Sequence, residues 1–89
     1  ITATRQKENA MVQWLVGNET NIREYIVERS INGTTFQVIG NVTASRRSTF
    51  QFTDVDAIKQ AVSGKLYYRV YAINTDGSKN YSKVATLAV

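Results

Sequence analysis

Residues 65–74 constrain the fold most. Leu66, Tyr68, Val70 and Ala72 alternate with Tyr67, Arg69, Tyr71 and Ile73. A period of two, built from β-branched and aromatic residues, puts one stripe on each face of an extended strand. A helix would scatter the same residues around its circumference. The pattern recurs. Val12, Trp14 and Val16 alternate with Gln13 and Leu15, Tyr25 and Val27 with Glu24 and Glu28, and Phe50 and Phe52 with Thr49, Gln51 and Thr53. Each set supplies one apolar face.

Turn residues divide these runs. Gly17 follows the Trp14 run, and Gly64 breaks the chain before Leu66. Asn32-Gly33 and Asp76-Gly77 are two-residue hairpin signals, because both positions tolerate positive φ. Strands are expected at 2–7, 10–16, 22–30, 35–42, 48–53, 65–74 and 79–88, with one helical turn near 56–62. Seven short antiparallel strands in one chain of 89 residues predict an all-β sandwich. We read residues 1–89 as one domain. The absence of an initiating Met and of a signal-peptide layout suggests a piece of a longer protein.

Composition limits the chemistry. There is no His and no Cys. That removes disulfides, thiolate nucleophiles, the commonest general base and the commonest metal ligands. No catalytic residues, metal site or cofactor are expected, and the chain is read as no enzyme. Asp54 and Asp56 are the one carboxylate pair at a strand end. They could hold Ca²⁺ or do acid–base work, but turn capping is the plainer account. Eleven Lys and Arg against seven Asp and Glu give a charge of +4. The cations are dispersed, and the Arg46-Arg47 doublet lies in a Ser-rich loop without interleaved aromatics. A solvated surface is expected, with no nucleic-acid partner. No apolar run approaches a membrane span, so no insertion is expected. Asn-x-Ser/Thr triplets at Asn18, Asn32, Asn41 and Asn80 are read as coincidental.

Order and spacing carry a resemblance. Trp14, Tyr25-x-Val27 and Tyr68-x-Val70-x-Ala72-x-Asn74-x-x-Gly77 resemble the second, third and sixth strands of fibronectin type III domains. A finer likeness runs through Ile26-Val27-Glu28-Arg29-Ser30, Asn32-Gly33, Phe36, Ile39-Gly40-Asn41-Val42, Phe52-x-Asp54 and Tyr67-Tyr68-Arg69-Val70. It is similar to the variety found in large secreted and surface proteins of gliding-type Gram-negative bacteria. The resemblance covers about residues 10–88. It implies a Greek-key sandwich of immunoglobulin-like type, with Trp14, Tyr25, Val27, Tyr68, Val70 and Ala72 in the core. It also implies a tyrosine corner in which the Tyr68 hydroxyl bonds to nearby backbone, and Val62 in the place of an anchoring leucine.

The function this implies is a non-catalytic spacer or docking module, monomeric, in a multi-domain secreted or cell-surface protein. Its partners would be neighbouring domains of the same chain. The alternative is a binding module for polysaccharide or another surface protein. If Tyr68, Val70 and Ala72 face inward, then Tyr67, Arg69 and Tyr71 face outward beside Ile26 and Glu28 of the neighbouring strand. A Glu28–Arg69 cross-strand pair is expected there. That face is the candidate binding surface, with ordinary sheet stabilisation as the competing account.

Overall fold

The computed structural model describes residues 1–17 and 19–89. They form eight strands: β1 Thr2–Gln6, β2 Asn9–Leu15, β3 Ile22–Ser30, β4 Gln37–Thr43, β5 Thr49–Asp54, β6 Lys65–Asn74, β7 Lys79–Tyr81 and β8 Ala85–Ala88. A short 3₁₀ turn covers Ala57–Gln60. Strands β1, β2 and β5 form one antiparallel sheet in the order β1-β2-β5. The second runs β4-β3-β6, and both β7 and β8 pair with β6. The two sheets face each other as a sandwich 37 × 23 × 17 Å across.

The core lies between the inward stripes, as the period of two requires. Val12, Trp14 and Phe50 come from the three-stranded sheet, and Tyr25, Val27, Leu66, Tyr68 and Val70 from the five-stranded one. Ala72 is partly buried against them. Trp14, Tyr25 and Phe50 make one aromatic cluster with centroids 4.7–5.8 Å apart. That spacing suits tilted and offset ring pairs.

Two local expectations need correction. The segment 79–88 is two strands, not one. After Tyr81 the chain turns aside at Ser82. Its N–H donates to the Val70 carbonyl at 2.7 Å, and its Oγ accepts from the Val70 N–H at 2.9 Å. The hydroxyl thus takes the ladder position of a backbone carbonyl, and pairing resumes only at Ala85. Next, Asn32-Gly33 is not a two-residue hairpin turn, because β4 begins only at Gln37. Gly33 has φ +83°, but Asn32 is not in the left-handed region that such a turn needs at both residues. Instead Ser30 Oγ accepts from the N–H groups of Asn32 and Gly33, and Asn32 Oδ1 accepts from those of Thr34 and Thr35. Side chains closing backbone groups in this way stabilise a wider loop.

Gly40 lies inside β4, beside a bulge at Ile39 that offsets β4 against Val27 and Glu28. A Cβ at position 40 would overlap the Phe52 ring of the opposite sheet. The glycine lets β4 lie close over β5.

Candidate functional site

The outward face of β3 and β6 begins from register. Glu28 opposes Arg69, and Ile26 opposes Tyr71, which in turn opposes Tyr81 of β7. Arg69 Nε donates to Glu28 Oε1 at 2.6 Å, a charge-assisted bond. The guanidinium also lies 4.1 Å from the Phe36 ring centroid and 4.9 Å from that of Tyr81. Cation–π attraction and the ion pair hold it in the same place. Glu28, although outward, keeps only 8% of its surface exposed.

The remaining members extend this cover. Tyr71 and Tyr81 meet at 4.8 Å with planes 42° apart, and Lys79 Nζ lies 5.1 Å from the Tyr71 ring centroid. Tyr67 lies over Gly33, where a Cβ would come within 3.2 Å of its ring. Tyr67, Arg69, Tyr71 and Ile26 are all half-buried, so the face is interlocked rather than a bare aromatic platform. Its most open ring is Tyr81, 54% exposed. Sequence reasoning placed Tyr67, Arg69 and Tyr71 on this face. It missed Phe36 and Tyr81, which enter from a loop and from an edge strand of three residues.

The inward side of the same strands carries a second charged group. Arg29 Nη1 donates to both oxygens of Asp54, at 3.0 and 2.9 Å, and the Tyr68 hydroxyl donates to Asp54 Oδ2 at 2.8 Å. Arg29 and Tyr68 oppose each other on β3 and β6, whereas Asp54 closes β5 in the other sheet. The group therefore ties the two sheets together. Burial raises the Tyr68 pKa above its usual value, and the Asp54 carboxylate adds to the effect. Burial likewise raises that of Tyr25, whose hydroxyl donates to Glu19 at 2.8 Å.

This arrangement corrects two readings. The Tyr68 hydroxyl goes to a carboxylate instead of backbone, and Val62 is 81% exposed, so it anchors nothing beneath Tyr68. A buried acid three residues from the 3₁₀ turn offers the phenol a stronger acceptor than a carbonyl would. Asp54 and Asp56 also part company. Asp54 is consumed in the interior, while Asp56 is exposed beside Lys59 at 3.7 Å, and among the described residues no third acid joins them. Arg46 and Arg47 lie on an exposed loop, where the Arg46 N–H donates to Glu19. Asn32, Asn41 and Asn80 are exposed, and Asn18 lies outside the described residues.

No family model matches the chain, and no curated protein matches it. Solved structures do match in fold. A pectate lyase from Pectobacterium carotovorum, Pel3, superposes with a TM-score of 0.79 at 21% identity, over 99% of this chain and 26% of that one. A β-1,2-glucanase from Parabacteroides distasonis superposes with a TM-score of 0.76 at 21% identity, over 100% of this chain and 12% of that one. The chain thus spans about a quarter, or less, of the proteins it resembles.

Proposed function

We propose that this chain is a non-catalytic accessory module of the fibronectin type III kind, a spacer or docking domain of a secreted or cell-surface protein. In this reading β7 and β8 are the two halves of the seventh strand of a Greek-key sandwich. One observation carries the proposal: the whole chain superposes on a minor part of two much longer enzymes. A fold that recurs as a fraction of unrelated-length enzymes behaves as a portable unit.

The structure of the ends supports a spacing role. Ile1 lies beside Trp14 and Leu15 at one end of the sandwich. At the other, the Val89 N–H donates to the Gly64 carbonyl at 2.9 Å. Ile1 thus sits near Ala72, towards the end of β6, and Val89 near its start, so neighbours attached at these points would leave from opposite ends of that strand. The likeness to parts of a pectate lyase and a β-1,2-glucanase favours a parent protein that acts on polysaccharide, with this module supplying position and not chemistry. The interlocked Glu28–Arg69 face favours ordinary sheet cover, or docking of a neighbouring domain, over a sugar platform.

The isolated domain tests this. It is expected to be a monomer in sedimentation velocity and to release no reducing ends from pectate or β-1,2-glucan. Turnover of either polymer would overturn the proposal.

A further inference from the structure

Between the loop after β3 and the 3₁₀ turn lies a cleft of about 490 Å³. Its walls include Arg29, Asn32, Thr35, Phe36, Gln37 and Gln60. It shares only Phe36 with the outward face, whose Arg69 covers that ring from the other strand pair. Three features give it a chemical character.

The first is the state of Arg29. Both of its bonds to Asp54 come from Nη1, so one nitrogen spans the two carboxylate oxygens. A guanidinium carries five N–H donors on three nitrogens. Among the described residues Nε and Nη2 have no acceptor, although the side chain is only 17% exposed. Asp54 therefore fixes the guanidinium and leaves two of its nitrogens unspent. A preorganised donor loses little freedom when it binds.

The second is charge. Asp54 already balances Arg29, and Glu28 balances Arg69 behind Phe36. The unspent donors therefore suit neutral acceptor oxygens better than a free anion. The third is the rest of the wall. The Gln37 and Gln60 amides both donate and accept, Thr35 offers a hydroxyl, and Phe36 adds an apolar ring. Donors and acceptors around one ring match the alternating hydroxyls and C–H faces of a sugar.

We infer that this cleft binds a neutral saccharide, with hydroxyl oxygens on Arg29 Nε and Nη2 and the Gln37 and Gln60 amides holding neighbouring hydroxyls. The inference goes beyond the accessory-module reading: a spacer needs no ligand, and the module can be a spacer whether or not the cleft is filled.

The test uses the 89-residue domain with ¹⁵N labelling. Sites of this size with a few hydrogen bonds bind near about 1 mM, so a β-1,2-glucan oligomer and an oligogalacturonide are each titrated to about 10 mM. The glucan oligomer is expected to give saturable amide shifts confined to residues 29–37 and 57–61. Arg29→Lys keeps a cation for Asp54 but removes the unspent nitrogens, and it should weaken binding about tenfold. Gln60→Ala on the 3₁₀ turn should weaken it about fivefold with an unchanged melting temperature, so the test survives if Arg29→Lys fails to fold. Tyr71→Ala should leave the affinity unchanged. Absence of shifts with both oligomers, binding by the oligogalacturonide alone, or shifts that Tyr71→Ala abolishes would each overturn the inference.

Discussion

Two arginine–carboxylate pairs flank one peptide bond of β3, and they do different work. Glu28 faces outward to Arg69, and Arg29 faces inward to Asp54. The outer pair joins adjacent strands of one sheet, and Phe36 and Tyr81 cover its guanidinium. The inner pair joins different sheets and takes Tyr68 as a third member. The two carboxylates are buried alike, but the Arg69 side chain keeps 31% of its surface exposed, so water can reach the outer group. The inner group is more closed, with Arg29 at 17% and Tyr68 fully buried. Alternation along a strand thus puts decoration on one side and a clamp on the other.

The sharpest way to break the comparison is to remove the shared acceptor. Asp54→Ala leaves a buried guanidinium and a buried hydroxyl without a partner, and should cost about 3–5 kcal/mol of unfolding free energy in urea titration. A loss as small as that expected for the outer pair would show that the sheets do not depend on the clamp. Tyr68→Phe removes one bond and keeps the ring, so about 1–2 kcal/mol is expected.

Tyr68→Phe also sharpens the comparison through pH. Burial raises the Tyr68 pKa in the folded state above the ordinary tyrosine value of 10.0. A raised folded pKa means the stabilisation is fully present below pH 10.0 and is lost as pH climbs beyond it. Tyr25 is shifted the same way. Each tyrosine that ionises only on unfolding steepens the alkaline loss by about 1.4 kcal/mol per pH unit. Urea midpoints measured from pH 9 upward should therefore fall less steeply in Tyr68→Phe than in the unsubstituted domain. Equal slopes would contradict a buried phenol held by Asp54.

The outer pair should give the smallest effect. Glu28→Gln keeps the shape and an oxygen that can accept from Arg69, and leaves the guanidinium between its rings, with a loss of about 1 kcal/mol by urea titration. A loss matching that of Asp54→Ala would make the outer face as structural as the inner.

The same comparison explains what the sequence could disclose. The Glu28–Arg69 pair was legible, because both residues lie on alternating stripes of strands expected to be neighbours. So was the placement of Trp14, Tyr25 and Tyr68 on inward stripes. The clamp was not. Asp54 is 25 residues from Arg29 and on the other sheet, and alternation gives a face without saying which polar group meets it across the core. Phe36 was hidden because a loop residue has no period. The break at Ser82 was hidden because a hydroxyl can stand in for a carbonyl only where geometry allows. The close approach at Gly40 was hidden too, since nothing along the chain announces the Phe52 ring above it.

The proposal that this module contributes position and not chemistry would be tested most directly inside the longer protein proposed for it. Residues 1–89 would be deleted there, or replaced by an unrelated rigid domain of similar 37 Å length, and turnover of the polysaccharide proposed as that protein's substrate measured. The account predicts that deletion lowers turnover and that the unrelated spacer restores it. A spacer that leaves activity as low as deletion does would contradict it.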